Sequence, residues 1–290
     1  MQKNKIYISV PVNAARNTLI ELRKICPNSE VFNSTKKYYS DDLVFLEKIK
    51  EGKMDEVPDI MVTVRPELLW QKNNFKDLGF FDDEYKYDLD EDLKSKKLFD
   101  ENWILKPIYI MPIVIFYNKD MQNPPQTWND LLDPRFKGKI ITTDEATPPT
   151  VLFKQFYKQA LGQKGKDFVE NDVAYVGLPI DVNKAVSNKE YDIGIMPLSF
   201  AMFSKDNGSA ICWPKEGALH LTQVMIMKKG YNEETKKAAD FLVSQKAQEM
   251  FSDGASFIPV IPNVEIPKQF NENNKTLFWD GWEKFIDMAD

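Results

Sequence analysis

The chain has 290 residues, 43% hydrophobic and 28% charged, with 38 basic against 44 acidic side chains for a formal charge of −6. That length suits two domains with enough apolar residues for separate cores, and the acidic balance argues against a nucleic-acid binder, which needs a basic face. One histidine and two cysteines rule out a His-rich metal site, leave any serine–histidine–aspartate catalyst dependent on His220, and read as two buried small hydrophobes, Cys26 and Cys212, rather than a bridge.

The first hundred residues alternate strand and helix, which implies βαβ units and a mostly parallel sheet. Strands are expected over residues 6–10, 30–33 and 60–64. A helix over 14–26 carries Leu19, Leu22 and Ile25 at helical spacing. Ser40 caps a second, which holds Leu43, Leu46 and Ile49, and Pro66 fits the first position of a third. Residues 71–102 are charged and weakly periodic, and read as short helices and loops. The apolar run 103–117 then leads through Pro124-Pro125 to a helix start at Thr127-Trp128-Asn129-Asp130 and a basic turn, Arg135 to Lys139.

A second α/β series follows. Strands are expected over 140–143, 173–176, 191–196 and 210–213. Helices are expected over 150–161, after Asp181 as cap, and after Pro197, with 162–172 a polar connection. Residues 219–227 form a second long apolar strand, the return crossing. A single helix runs from Asn232 through Phe251 and stops at Gly254. The tail is irregular until a final helix over 279–288. No secretory or transmembrane segment stands out, since the run at 107–117 is short and holds two prolines. A signal segment removed from a precursor would place the protein outside the cytoplasm; a natural start at Met1 would place it inside.

Several segments resemble one family in order and spacing. Phe116-Tyr117-Asn118-Lys119, Pro125, Thr127-Trp128, Leu131-Leu132-Asp133-Pro134 and Lys137-Gly138-Lys139 look like the first lobe crossover of type II periplasmic binding proteins. These are the solute-binding subunits of bacterial ABC importers. Asn183 to Val186 with Glu190 to Ile195, and residues 236–248 with Phe251 and Gly254, match later parts of that pattern, closest to the iron, polyamine and phosphonate type. The resemblance covers about residues 5–265. It implies an α/β fold of two lobes, with two mixed sheets flanked by helices and joined by a two-strand hinge. Lobe one takes residues 1–107 and 222–268, lobe two takes 108–221, and the lobe of the C-terminal helix, 269–290, stays open.

In open α/β sheets ligands sit beyond the carboxyl ends of the strands. That rule selects Asn13, Tyr39, Ser40 and Arg65 in the first lobe, and Thr143, Asp144, Thr147, Ser199 and Trp213 in the second. Arg65 can hold a carboxylate or phosphate in bidentate fashion, or form a structural ion pair. The hydroxyls of Ser40, Thr143, Thr147 and Ser199 can serve an anion or cap helices. Tyr39 and Trp213 can enclose a ligand or pack as rim aromatics. Asp144 can meet a cationic group or cap its turn, and His220 packs in the return crossing. The family's ferric binders carry adjacent tyrosines after the strand matching 191–196. Pro197-Leu198-Ser199-Phe200 stands there, and Tyr38-Tyr39 lies in the other lobe.

The expectation is therefore a bacterial, monomeric solute-binding protein that captures a small polar, anionic molecule by hinge closure. Its partner is a membrane permease, with no cofactor, metal, catalytic residue or nucleic acid. The alternatives are a cytoplasmic ligand-sensing domain of the same fold, or a polyamine or metal-complex binder.

Overall fold

The computed structural model describes residues 3–34, 41–204, 208–266 and 276–289. The chain begins with β1 (Lys5–Ile8), α1 (Val12–Ile25), β2 (Glu30–Asn33), α2 (Asp41–Lys50), β3 (Ile60–Thr63) and the short helices α3 (Pro66–Leu69), α4 (Lys72–Leu78) and α5 (Glu91–Ser95). After β4 (Lys106–Asn118) come β5 (Ile140–Thr143), α6 (Pro148–Leu161), α7 (Gln163–Asn171), β6 (Val173–Val176), α8 (Pro179–Ser187), β7 (Ile193–Pro197), α9 (Leu198–Ala201) and β8 (Ser209–Cys212). Last are β9 (Leu219–Met227), α10 (Glu233–Leu242), α11 (Gln245–Ala255), β10 (Ile258–Pro259) and α12 (Trp282–Ile286).

The described residues divide into two compact units. One comprises the chain up to Ile110, from Thr222 to Ile266, and from Gly281 onward; the other comprises Met111–Leu221 and the stretch from Thr276 to Asp280. In the first unit the strand order is β2-β1-β3-β9, with β2, β1 and β3 parallel and β9 antiparallel to β3. In the second, the order is β4-β7-β5-β6, with β7, β5 and β6 parallel and β4 antiparallel to β7 and β8. β9 neighbours β4 in the strand order, so the described strands form one ten-stranded mixed sheet, with helices flanking the part in each unit. β4 and β9 each run through both units. Cys26 and Cys212 are buried free thiols in separate units. Among the described residues no helix is long and apolar enough to cross a membrane.

β4 begins on an unusual residue. Lys106 is 0% exposed, and its ammonium donates to the carbonyls of Asp82 (2.5 Å) and Trp103 (2.6 Å), with an Asp82 carboxylate oxygen at 3.1 Å. Burial pushes its pKa down, opposed by Asp82. An uncompensated buried ammonium would be very costly, so these acceptors fix where the strand can start.

The local reading needs correction at several elements. Residues 162–172 are not a loop but hold α7, which buries Phe168 and Val169. Its Gly165 lies so close to α6 that a β-carbon there would stand 1.9 Å from the Tyr157 carbonyl oxygen. The expected single helix after Asn232 is two, because Ser244 caps α11 through its hydroxyl to Ala247 N–H. Gly254 lies within α11, which ends at Ser256 with φ +54°. Asp181 is not a cap but the third residue of α8, accepting from Leu178 N–H at 2.8 Å. The helix start at Thr127 is only a 3-10 turn, Asn129–Leu132. The tail holds β10, and its last α-helix is confined to Trp282–Ile286.

An exposed helical Gly→Ala change usually stabilises by up to about 1 kcal/mol. Gly165→Ala is expected to destabilise instead, by about 1–3 kcal/mol, read from the urea midpoint; a gain in stability would disprove the close α6–α7 approach.

Candidate functional site

Parallel pairing places the carboxyl ends of β1, β2 and β3 on one edge of the first unit. β1 runs through Ser9 into α1, and β3 runs through Arg65 into α3. Asp42, in the first turn of α2, is 1% exposed. The Ser9 hydroxyl donates to its Oδ2 at 2.9 Å, while Oδ1 has no hydrogen-bond partner. Burial raises the Asp42 pKa to about 7, moderated by the hydroxyls of Ser9 and Thr63, the Arg65 charge and Tyr7. A carboxyl that ionises only near neutrality at a strand-end edge marks a candidate site.

Arg65 is 2% exposed. Its backbone N–H donates to the Thr63 hydroxyl at 3.1 Å, and Nη2 donates to Glu67 Oε1 at 2.7 Å. The structural ion pair expected as one reading of Arg65 is therefore present. Asn13, in the first turn of α1, has a buried side-chain amide with neither atom hydrogen-bonded. Tyr39 and Ser40 lie outside the described residues.

In the second unit β5, β6 and β7 likewise end on one edge. Four buried threonines form a closed hydroxyl circuit there. Thr142 donates to the Ile195 carbonyl (3.0 Å), Thr147 to the Asp144 carbonyl (2.8 Å) and Thr150 to the Thr143 carbonyl (2.9 Å). Thr143 hydrogen-bonds to the hydroxyls of Thr147 and Thr150. Each hydroxyl has one proton, and all four are used within the circuit. Thr143 and Thr147 therefore have lone pairs rather than protons to offer a ligand. Thr147 occupies the N-cap position of α6, yet its side chain makes no capping bond.

Asp144 caps its own turn, its Oδ1 accepting from Ala146 N–H at 2.9 Å. Pro148 and Pro149 take the first two positions of α6, so that helix start lacks two of its backbone donors. Ser199, 4% exposed in α9, is not a helix cap, and its hydroxyl has no hydrogen-bond partner. Trp213 is half-buried, its indole N–H bound to the Thr276 carbonyl at 2.7 Å. His220 is buried 5.4 Å from the Trp279 ring, and burial pushes its pKa down to about 4.

The first unit thus brings Asn13 and Arg65 to one edge, and the second brings Thr143, Asp144, Thr147 and Ser199 to another. The strand-end rule missed Ser9, Asp42 and Glu67, as well as Thr142 and Thr150. The repeated threonines at 142, 143, 147 and 150 were a visible signal; the burial of Asp42 was not. Among the described residues no cluster of three or more His, Cys, Asp or Glu side chains could hold a metal ion.

Residues 55–287 match the family of bacterial extracellular solute-binding proteins. A Salmonella typhi protein named for 2-aminoethylphosphonate binding in the periplasm is 26% identical over a stretch covering 57% of this chain and 54% of that protein. The chain thus matches about half the length of that relative. The ferric binding protein from Campylobacter jejuni superimposes with a TM-score of 0.77 at 18% identity, covering 99% of this chain and 96% of that one. The periplasmic binding protein AfuA from Actinobacillus pleuropneumoniae, with fructose 6-phosphate bound, gives 0.73 at 18% identity, covering 99% and 93%. These likenesses establish the two-lobed periplasmic-binding-protein fold.

Asp42 yields a test on the unliganded protein. A carboxyl whose folded pKa is raised from 3.8 to about 7 contributes stability at low pH that is lost as pH climbs through that interval. Of the groups facing it, Ser9 and Thr63 do not titrate, and the Tyr7 phenol is pushed up by burial. The stability of Asp42→Asn relative to the parent should improve by about 1–3 kcal/mol between pH 4 and pH 8, followed by chemical denaturation. A difference independent of pH would show that Asp42 is not buried as described.

Proposed function

Because the chain belongs to the bacterial extracellular solute-binding protein family, we propose that it is the capture subunit of an ABC importer for a small polar solute bearing an anionic group. The observation that carries this reading is the family match, which extends through both units. Family and fold are those of binding proteins rather than enzymes, and the proposal is binding without turnover. Such a protein works outside the cytoplasm and delivers its ligand to a membrane permease; we take it to act as a monomer.

Arg65 is the proposed anchor, because a buried guanidinium at the end of β3 offers a planar array of donors to a carboxylate, phosphonate or phosphate. Asn13 and Ser199 have polar atoms without partners, so a ligand would complete their hydrogen bonding. Thr143 and Thr147 would accept from ligand donors. Asp144 and Trp213 are the remaining candidates in the second unit, and Tyr39 and Ser40 in the first. Closure would bend β4 and β9, the strands common to both units, and ligand contacts made only in the closed state would drive it.

Asp42 favours a narrower second reading. A buried carboxyl beside Arg65 with one oxygen unpartnered suits a ligand carrying an ammonium next to its anion. The relative named for 2-aminoethylphosphonate points to the same class.

The test is thermal shift and calorimetry with 2-aminoethylphosphonate, ethylphosphonate, fructose 6-phosphate, spermidine and ferric citrate. An anionic hit at a hundred times its Kd should add about 2.7 kcal/mol, roughly 5 °C in Tm for a chain this size, and be recovered chemically intact. A preference for 2-aminoethylphosphonate over ethylphosphonate that disappears in Asp42→Asn would support the zwitterion reading. Response to spermidine alone, or turnover of any hit, would overturn the anionic-binder reading.

Arg65→Gln should weaken binding of the anionic hit at least tenfold, since charge-assisted bonds contribute about 1.5–3 kcal/mol. Unchanged affinity would remove Arg65 from the site.

A further inference from the structure

The last described stretch of chain is anchored in both units. Residues 276–280 dock on the second. Ala218 N–H donates to the Thr276 carbonyl at 2.9 Å and Phe278 N–H donates to the Ala218 carbonyl at 2.8 Å, a parallel bridge that pairs Ala218 with Leu277. This approach requires Gly217, whose φ is +107° and where a β-carbon would meet Phe278 N at 2.6 Å. Trp213 adds its indole N–H to the Thr276 carbonyl. The Phe278 ring lies 5.2 Å from Phe156, which in turn packs 6.1 Å from Trp128. Trp279 packs on His220.

From Gly281 onward the chain belongs to the first unit. Trp282 donates its indole N–H to the Phe99 carbonyl at 2.7 Å, and the Lys72 ammonium lies 5.5 Å from its ring centroid. Phe285 packs 6.3 Å from Trp70. Only Asp280 and Gly281 separate the anchored Trp279 from the anchored Trp282. Gly281 has φ +95°, a conformation other residues take only with strain.

We propose that residues 276–286 form a further, short covalent tether between the units, in addition to β4 and β9, and that this tether limits how far the units separate in the unliganded protein. The chain reaches at most about 3.6 Å per residue, so a two-residue link holds little slack. Each end is fixed by a half-buried tryptophan, Trp279 through its ring contact with His220 and Trp282 through its indole hydrogen bond to the Phe99 carbonyl, so separation of the units would load the link between them. The inference depends on the two-unit division and the anchors, and stands apart from the identity of the ligand.

The experiment places spin labels at Glu47→Cys on α2 and Lys166→Cys on α7, both exposed and in different units, with the buried native thiols left in place. Six Gly/Ser residues are inserted between Asp280 and Gly281, keeping both anchors, and the distance distribution of the unliganded protein is measured by pulsed dipolar spectroscopy. The expected result is a broadened distribution with a new population longer by up to about 13 Å, the typical span of a six-residue flexible linker. The far-ultraviolet spectrum should not change. Trp282→Ala, which releases one anchor without altering chain length, should broaden the distribution in the same direction. A distribution unchanged by the insertion would overturn the tether. Broadening by the insertion but not by Trp282→Ala would overturn the anchoring role assigned to that residue.

Discussion

β4 and β9 impose the constraint on which the rest depends. Every residue of β9 and all but Tyr117 of β4 are buried, so both strands are mostly apolar, as central strands covered on both faces are, and their buried polar residues need partners. Because both run through both units, the first unit cannot be completed from one continuous piece of sequence, whereas Met111–Leu221 of the second is inserted as one stretch. The first unit receives β9, α10 and α11 only after the second has been traversed. The chain order of the fold follows from that arrangement.

The few polar residues on these strands connect them to the candidate site. Gln223, fully buried on β9, donates to the Ser9 carbonyl at 2.9 Å and accepts from the Tyr109 hydroxyl of β4 at 3.1 Å. Tyr109 is itself held by stacking on Phe257 at 4.4 Å. Ser9 then holds Asp42 through its side chain. A continuous series of buried hydrogen bonds thus leads from the crossing strands to the carboxyl at the strand-end edge. Inside a protein such bonds are electrostatically strong and expensive to leave unmade, so they fix Ser9, and through it Asp42, against the crossing strands.

Much of this was legible in the sequence where the signal was local. Residues 103–117 and 219–227 announced themselves as crossings because burial on both faces demands long, mostly apolar runs. The α/β alternation of residues 6–64 was equally plain. α7 was hidden because only Phe168 and Val169 mark its buried face, and the residue that fits it against α6 is a glycine, which reads as a breaker. The division at Ser244 was missed because apolar periodicity continues across it and only a side-chain hydrogen bond marks the restart. At the candidate site, position followed from strand polarity, so Asn13, Arg65 and Thr143 could be named. Hydrogen-bonding state could not, because it depends on partners distant in sequence. The closed circuit of threonine protons and the perturbed carboxyl of Asp42 arise only on folding.

The two strand-end edges differ in kind. That of the first unit carries Arg65, Glu67 and Asp42, one fixed positive charge with two carboxyls, of which Asp42 ionises only near neutrality. That of the second carries Asp144 and neutral hydroxyls mostly bonded to one another, beside a helix start where two prolines have removed two of the backbone donors. A helix N-terminus normally attracts an anion through its free N–H groups and its dipole together. With Pro148 and Pro149 in place the dipole of α6 remains, but two of the groups that would hold an oxygen do not. On the proposed function, compensation of an anionic ligand's charge by side chains would fall to the first unit, and the second would contribute the Ser199 hydroxyl and acceptor oxygens. Such a division of labour would favour a solute with a single anionic end and a polar remainder over one charged at both ends with the same sign.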